Sequence, residues 1–321
     1  MENKSIGRKL LDLYGKVGVY FLLLIVIVVF ALLSDVFLSI NNIKNIGKQV
    51  SMIVIFAAGI SMVILTGGID ISCGSIIALV TVIGAYTMTS WGWSMWAAIA
   101  ACLILGAVLG CWNGVVITYF KLPPMIATLA MQIIARGIGF IITKGTPIYN
   151  LPEEIKSIAQ GEVLGIPVPV LVMVVIFALS YWFLEKTYIG RRIYALGGNA
   201  EAARLSGINV DRITIMVYTI SSLMSAVAGV VMLSRINSGQ PNTAQSYEMN
   251  VIPSAVLGGI SLNGGEGKIL NVIAGVLIMG CLSTGMTIIG LNEYWQYIVK
   301  GVVLTVTVAI DNAQKGKLKR A

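Results

Sequence analysis

The chain has 321 residues, 57% of them hydrophobic and only 11% charged, with a formal net charge of +8. A mean hydropathy of +0.89 leaves more apolar surface than a soluble core can hide, so a polytopic helical membrane protein is expected, and the positive charge is read as helix-orienting rather than as a sign of nucleic-acid binding. There is no histidine and no GxxxxGKS or GxxxxGKT loop, which excludes a His-based triad, a histidine zinc site or proton relay, and an ATPase within the chain.

In chain order, Lys4, Arg8, Lys9 and Lys16 precede an apolar run at 17–33, followed by Ser34 and Asp35 instead of a small-residue cleavage site. The first span is therefore expected to be retained, with its N-terminus inside. Residues 50–66 form the next run, broken at Gly67 and Gly68, and 74–89 follow after almost no loop, as a tight helical pair. Residues 95–118 and 123–143 give the fourth and fifth spans. Residues 144–167, with Pro147, Pro152 and Pro167, are expected to form the main irregular outer loop. Residues 168–184 return inward and 213–236 go out again. The run at 251–262 holds Pro253, Gly258 and Gly259 and is shorter than the ~20 residues of an ideal span, so a broken or steeply embedded element is expected. Residues 269–290 and 295–310 complete an all-α set of about ten membrane elements in a single domain over 1–321. With both termini cytoplasmic, 15 Lys and Arg residues fall inside and five (Lys44, Lys48, Lys144, Lys156, Arg235) outside, which favours this orientation over its inverse.

The longest strongly basic interruption, 185–212, is organised around GRRIYALGGNAEAARLSGINV at 190–210. Gly197 and Gly198 are read as loosening the chain and Asn199 as an N-cap. A two-turn helix from Ala200 to Leu205 follows, with Glu201 near its positive end, Arg204 near its negative end and Gly207 as its stop. So short a helix holds its shape only against a partner or the membrane domain. Docking and an ordinary capped connector are both open readings.

Ionisable groups at membrane depth are costly unless they face water or a partner. Thr128, Gln132 and Arg136 recur every four residues on the fifth span and make one polar stripe, with Gly139 near the same face. The stripe suits a wet path for a hydroxylated solute, or else Arg136 locks the bundle by pairing with a buried carboxylate or helix end. Asp70, in GGIDIS after Thr66 and beside Ser72 and Ser75, is either a cap for the next helix or a gate at a glycine break. Gly106, Gly110 and Gly114, and likewise Ser221, Ser225 and Gly229, are read as close-packing faces. Asn113 reaches either the path or a neighbouring helix. Cys73, Cys102, Cys111 and Cys281 lack ligand-like pairing and read as small buried side chains, and no metal site is expected. Lys300, one turn from Gln296, either snorkels or pairs internally.

Four stretches of the sequence resemble the integral membrane permeases of ATP-binding-cassette sugar importers of the ribose, galactose and xylose type. They are LTGGIDISCGS at 65–75, ATLAMQIIARGI at 127–138, GRRIYALGGNAEAARLSGI at 190–208 and SAVLGGISLNGGEGK at 254–268. The resemblance implies alternating access driven by a separate cytoplasmic ATPase, which binds ATP and Mg while this chain binds no cofactor. It also implies an extracellular or periplasmic sugar-binding protein, a second copy of the chain, and an inner-membrane location in contact with lipid. Gly190, Arg191, Asn199, Glu201, Ala203, Arg204 and Gly207 would then meet the ATPase. Thr66, Asp70, Ser72, Asn113, Thr128, Gln132 and Arg136 would line the path or gate, and Arg235 and Glu248 would shape the outer mouth. The chain departs from the family pattern at Asn250 and Pro253, where an aspartate and an alanine are usual. The rival readings are a permease for a nucleoside or signalling sugar, and an ion-coupled carrier using Asp70, Arg136, Glu248 or Lys300. An intramembrane enzyme, for which no nucleophile and base pair is found, is the third.

Overall fold

Backbone polar groups inside a bilayer must be satisfied by the protein itself, and the chain meets that demand with helices almost throughout. The computed structural model describes residues 6–318, with side chains over 18–309. The helices are α1 (Ile6–Leu33), α2 (Ile40–Leu65), α3 (Cys73–Thr89), α4 (Met95–Tyr119), α5 (Pro124–Thr143), α6 (Lys156–Gln160), α7 (Val168–Lys186), α8 (Tyr188–Gly198), α9 (Ala200–Leu205), α10 (Val210–Ile236), α11 (Glu248–Leu257), α12 (Ile269–Ile288) and α13 (Glu293–Leu318). Among the described residues, α2, α4, α5, α7, α10 and α12 are long and apolar enough to cross a membrane, and Gly18–Leu33 and Cys73–Thr89 are shorter apolar helices. The chain is an all-α polytopic membrane protein.

The layering follows from burial. The apolar window of α2 is 89% buried and that of α12 72%, against 28% for α4 and α5 and 22% for α7, so α2 and α12 sit centrally and the others turn a broad face outward. Helix α10 packs against α2, α3 and α4. It approaches α4 closely because Gly106, Gly110 and Gly114 present no side chain: a Cβ at Gly110 would stand 2.4 Å from Tyr218 O and one at Gly114 2.5 Å from Ile215 Cα. Cys73, Cys102 and Cys281 are buried as expected, but Cys111 is exposed, because the α4 ridge turns the intervening residues away from α10.

Two boundaries differ from the hydropathy reading. Helix α2 begins ten residues before the apolar run at 50–66, at Ile40, where the Ser39 hydroxyl caps it by accepting from Asn42 N. Hydropathy misses these turns because Asn41, Asn42, Lys44, Asn45, Lys48 and Gln49 are polar. Helix α11 likewise starts at Glu248, ahead of the run at 251–262, and stops at Leu257 before Gly259, which has φ +82°. The segment between α5 and α7 is also more ordered than an irregular loop. It holds a 3-10 turn at Glu153–Ile155, α6, and a hairpin of β1 (Glu162–Val163) and β2 (Ile166–Pro167) closed by Leu164 and Gly165, both at positive φ. Ser234 of α10 anchors it by accepting from Ala159 N and donating to Ile155 O, and Lys44 pairs with Glu162 at 2.7 Å.

Candidate functional site

The break after α2 is the first structural focus. Thr66 ends the helix with its hydroxyl on Val63 O, Gly67 takes φ +81°, and the chain runs unwound to Cys73. Unwound backbone at this depth is tolerated because it is buried in protein. Asp70 is fully buried there. Its Oδ1 accepts from Ser72 N at 2.9 Å and from Ser72 Oγ at 2.6 Å, and its Oδ2 accepts from Ser221 Oγ of α10 at 2.9 Å. Asn113 of α4 donates to Ser72 Oγ at 3.2 Å. Asp70 thus fixes the local turn and also ties the break to α10 and, through Ser72, to α4, which is more than an ordinary helix cap does. Asn113 bonds across helices.

The α5 stripe points toward the same region. The Thr128 hydroxyl donates to Pro124 O at 3.0 Å and reaches Ile69 O at 3.3 Å, beside Asp70. Gln132 Nε2 lies 3.4 Å from Glu248 Oε1, and Arg136 donates to Pro241 O at 2.6 Å and Thr243 O at 3.0 Å. Arg136 therefore ties down the loop before α11 through backbone carbonyls, and among the described residues no carboxylate stands within ion-pair distance of it. Glu248, expected at the outer mouth with Arg235, turns its carboxylate toward α3 and α5. Its Oε2 is buried without a hydrogen-bond partner and lies 3.2 Å from where a Gly74 Cβ would stand, so the carboxylate reaches α3 and joins the α5 stripe. Arg235 is half-buried near the C-terminal end of α10. Lys300 does not simply snorkel: it is half-buried and lines a polar cavity with Gln296.

Beside the end of α2 at this break, 185–212 folds as two helices, not one. Gly190 permits the tight turn from α7, since a Cβ there would fall 1.9 Å from Leu184 O, and Thr187 Oγ1 accepts from Gly190 N. Gly197 and Gly198 do not loosen the chain; they are the last turn of α8, because Gly197 must press against the end of α2, where a Cβ would stand 1.8 Å from Leu65 O. Asn199 then caps α9, its Oδ1 accepting from Glu201 N and Ala202 N at 3.0 Å. Gly207, at φ +80°, closes it: Ile208 N bonds Ala203 O and Gly207 N bonds Arg204 O, the two bonds of a Schellman motif. Ala203 is buried, while Arg191, Glu201, Arg204 and Gly207 are exposed and Leu205 is 85% exposed.

Sequence reading missed the receiving side of this ledge. Gly265 N donates to the same Leu65 O at 2.9 Å, and the Tyr194 hydroxyl of α8 donates to Gly267 O at 3.0 Å, with burial raising its pKa above the ordinary tyrosine value. Gly264, Gly265 and Gly267 all take positive φ, the signal by which NGGEGK could have been picked out as a shaped turn. Tyr218 and Ser222 of α10, whose hydroxyls are buried without partners, were also missed among small packing residues.

A family model described as branched-chain amino acid transport system / permease component matches residues 42–308. The chain belongs to this permease family. The ribose import permease protein RbsC of Escherichia coli strain K12 is 40% identical to it over 297 residues, covering 91% of this chain and 92% of the relative. The Bacillus subtilis RbsC is 42% identical over 298 residues, with 92% of both chains covered. The L-arabinose transport system permease protein AraH of Escherichia coli K12 is 37% identical over 316 residues, covering 98% of this chain and 94% of the relative. No solved structure matches the chain. The permease is a transport component rather than an enzyme, and its long apolar helices make it a multi-pass protein of the bacterial inner membrane.

Proposed function

We propose that this permease carries a monosaccharide, a ribose-like pentose or a hexose, as the membrane subunit of an ATP-driven importer working by alternating access. One observation supports it most: the α8–α9 ledge is exposed on one side and on the other bonded or closely packed to the 264–267 turn and to Leu65, which stands five residues before buried Asp70. A displacement of α9 by a cytoplasmic ATPase has a short covalent and packed route into the break between α2 and α3. The relatives named as ribose and arabinose permeases support the sugar class. Thr128, Gln132 and Arg136, together with Glu248, then border the path.

In this reading a second copy of the chain completes the path, an extracellular or periplasmic binding protein meets the face carrying Arg235 and the β1–β2 hairpin, and both termini lie in the cytoplasm. The six long apolar helices, the two shorter ones, α11 and α13 together make the ten membrane elements. ATP and Mg stay with the ATPase. The deciding experiment solubilises the subunit from its native membrane and identifies what remains bound. A co-purifying ATPase, lost when Asn199–Gly207 is replaced by a flexible linker, is the expected result. A subunit that comes away alone and still takes up solute under an ion gradient overturns the reading in favour of ion coupling.

A further inference from the structure

The half-helix α11 carries polar groups on two faces. Glu248 reaches α3 and α5, as described. Asn250, two residues on and so nearly opposite on the helix, lines a cavity of about 190 Å³ between α2, α11, α12 and α13. This cavity lies off the Thr128–Gln132–Arg136 stripe. Asn45 also lines a wider cleft of about 500 Å³ along the polar first turns of α2, bordered by Lys44, Lys48 and Glu162 beside the hairpin.

Its chemistry is specific. Asn45 and Gln49 come from α2, Thr284 from α12, and Gln296 and Lys300 from α13, over two apolar side chains, Ile53 and Met279. Gln49 Oε1 accepts from Thr284 Oγ1 at 3.2 Å, which fixes one amide in place, and Gln296 Nε2 donates to Thr287 Oγ1 at 3.0 Å. No carboxylate lines the cavity, and among the described residues Lys300 makes no ion pair. An amide offers a donor and an acceptor whichever way it is turned, so a ligand that satisfies four of them must itself donate and accept. Hydroxyl groups do both. A phosphodiester headgroup only accepts; it would suit Lys300 and offer no donor to the amide oxygens that line the cavity. The volume is well above the ~10–15 Å³ that one water needs and below the ~300 Å³ of a drug-sized pocket, which fits one small ring.

We propose that this cavity is a binding site for a single neutral polyol, such as one sugar ring, set behind α11 and separate from the α5 stripe. The choice of sugar as probe rests on the function proposed above; the site itself does not. Since α11 bears Glu248 on one face and Asn250 on the other, a polyol here would bias the position of the half-helix that also borders the stripe.

The test titrates ¹³C-labelled D-ribose into the full-length subunit in zwitterionic lipid nanodiscs and follows the sugar resonances. Saturable binding is expected, weakened about tenfold or more in Asn250→Leu and in Gln49→Leu, and unchanged in Val174→Ala on the outward face of α7. Thermal melting accompanies each variant, and Gln296→Leu and Asn250→Ser serve if Asn250→Leu does not fold. The proposal is overturned by absence of saturable binding, by equal binding in all variants, or by loss in Val174→Ala alone. Binding of phosphatidylglycerol with exclusion of ribose overturns it too. A co-purified ATPase without ribose binding sinks the cavity alone; ribose binding without an ATPase sinks the importer reading alone.

Discussion

Gly197 and Gly198 are neighbours in sequence and both end α8, yet one methyl group separates them. A Cβ at Gly198 meets nothing within 4 Å, so Gly198→Ala should stabilise the helix by up to about 1 kcal/mol through reduced freedom of the unfolded chain and leave uptake intact. At Gly197 the same methyl would sit 1.8 Å from Leu65 O and 2.5 Å from Gly265 N. Gly197→Ala should therefore push α8 off its seat, lower the melting temperature and uncouple uptake from ATP. Equal melting curves for the two variants would show that α8 is not seated there. The Asp70 cluster invites a second substitution. Ser221→Ala removes one of the donors to a fully buried carboxylate and should cost about 1–3 kcal/mol, read as a lower melting temperature in detergent. Asp70 was legible in the sequence because it stands at a glycine break. Ser221 was not, since it lies 151 residues away and reads as one more small residue on a packing face.

At the scale of elements, α9 is the part whose shape local rules dictate. Asn199 and Gly207 bracket seven residues, six of them α9, and the capping bonds expected of them form. Ala203→Pro deletes the Ala203 N to Asn199 O bond of 3.0 Å and should open α9 while the spans stay inserted. Sugar uptake and sugar-stimulated ATP hydrolysis in reconstituted vesicles should both fall to background, and normal uptake by this variant would remove α9 from the mechanism. Helix α8 was illegible by the same rules, because paired glycines read as a loosened chain unless the carbonyl pressing on them is known. The polar start of α2 was hidden for a related reason: a hydropathy window scores Asn45 and Gln49 as loop, although Ser39 caps the helix and Gln49 bonds to α12.

For the whole molecule, aromatic residues mark both ends of α4 as a span, while its direction rests on the Lys and Arg count. Trp91, Trp93 and Trp96 are exposed at its start and Tyr119 and Phe120 at its end, as interfacial belts require. On a Cys111→Ser background, Leu164→Cys, at the 97% exposed hairpin tip, should react with a membrane-impermeant maleimide on intact spheroplasts, and Ser206→Cys only in inverted vesicles. The reverse pattern would invert the topology. Composition and its long continuous apolar runs determined that the chain is a helical membrane protein, since the strands of a membrane barrel would alternate apolar and polar residues. Local spacing determined α9 and the polar stripe of α5, because capping and helical period act over a few residues. Only the tertiary structure decided that Asp70 binds Ser221, that Glu248 turns toward α3 and α5, and that Asn250 meets Gln49 and Lys300 around a cavity. Those groups lie far apart in sequence, and their meeting is set by where glycine and serine faces let α2, α10, α11 and α12 approach.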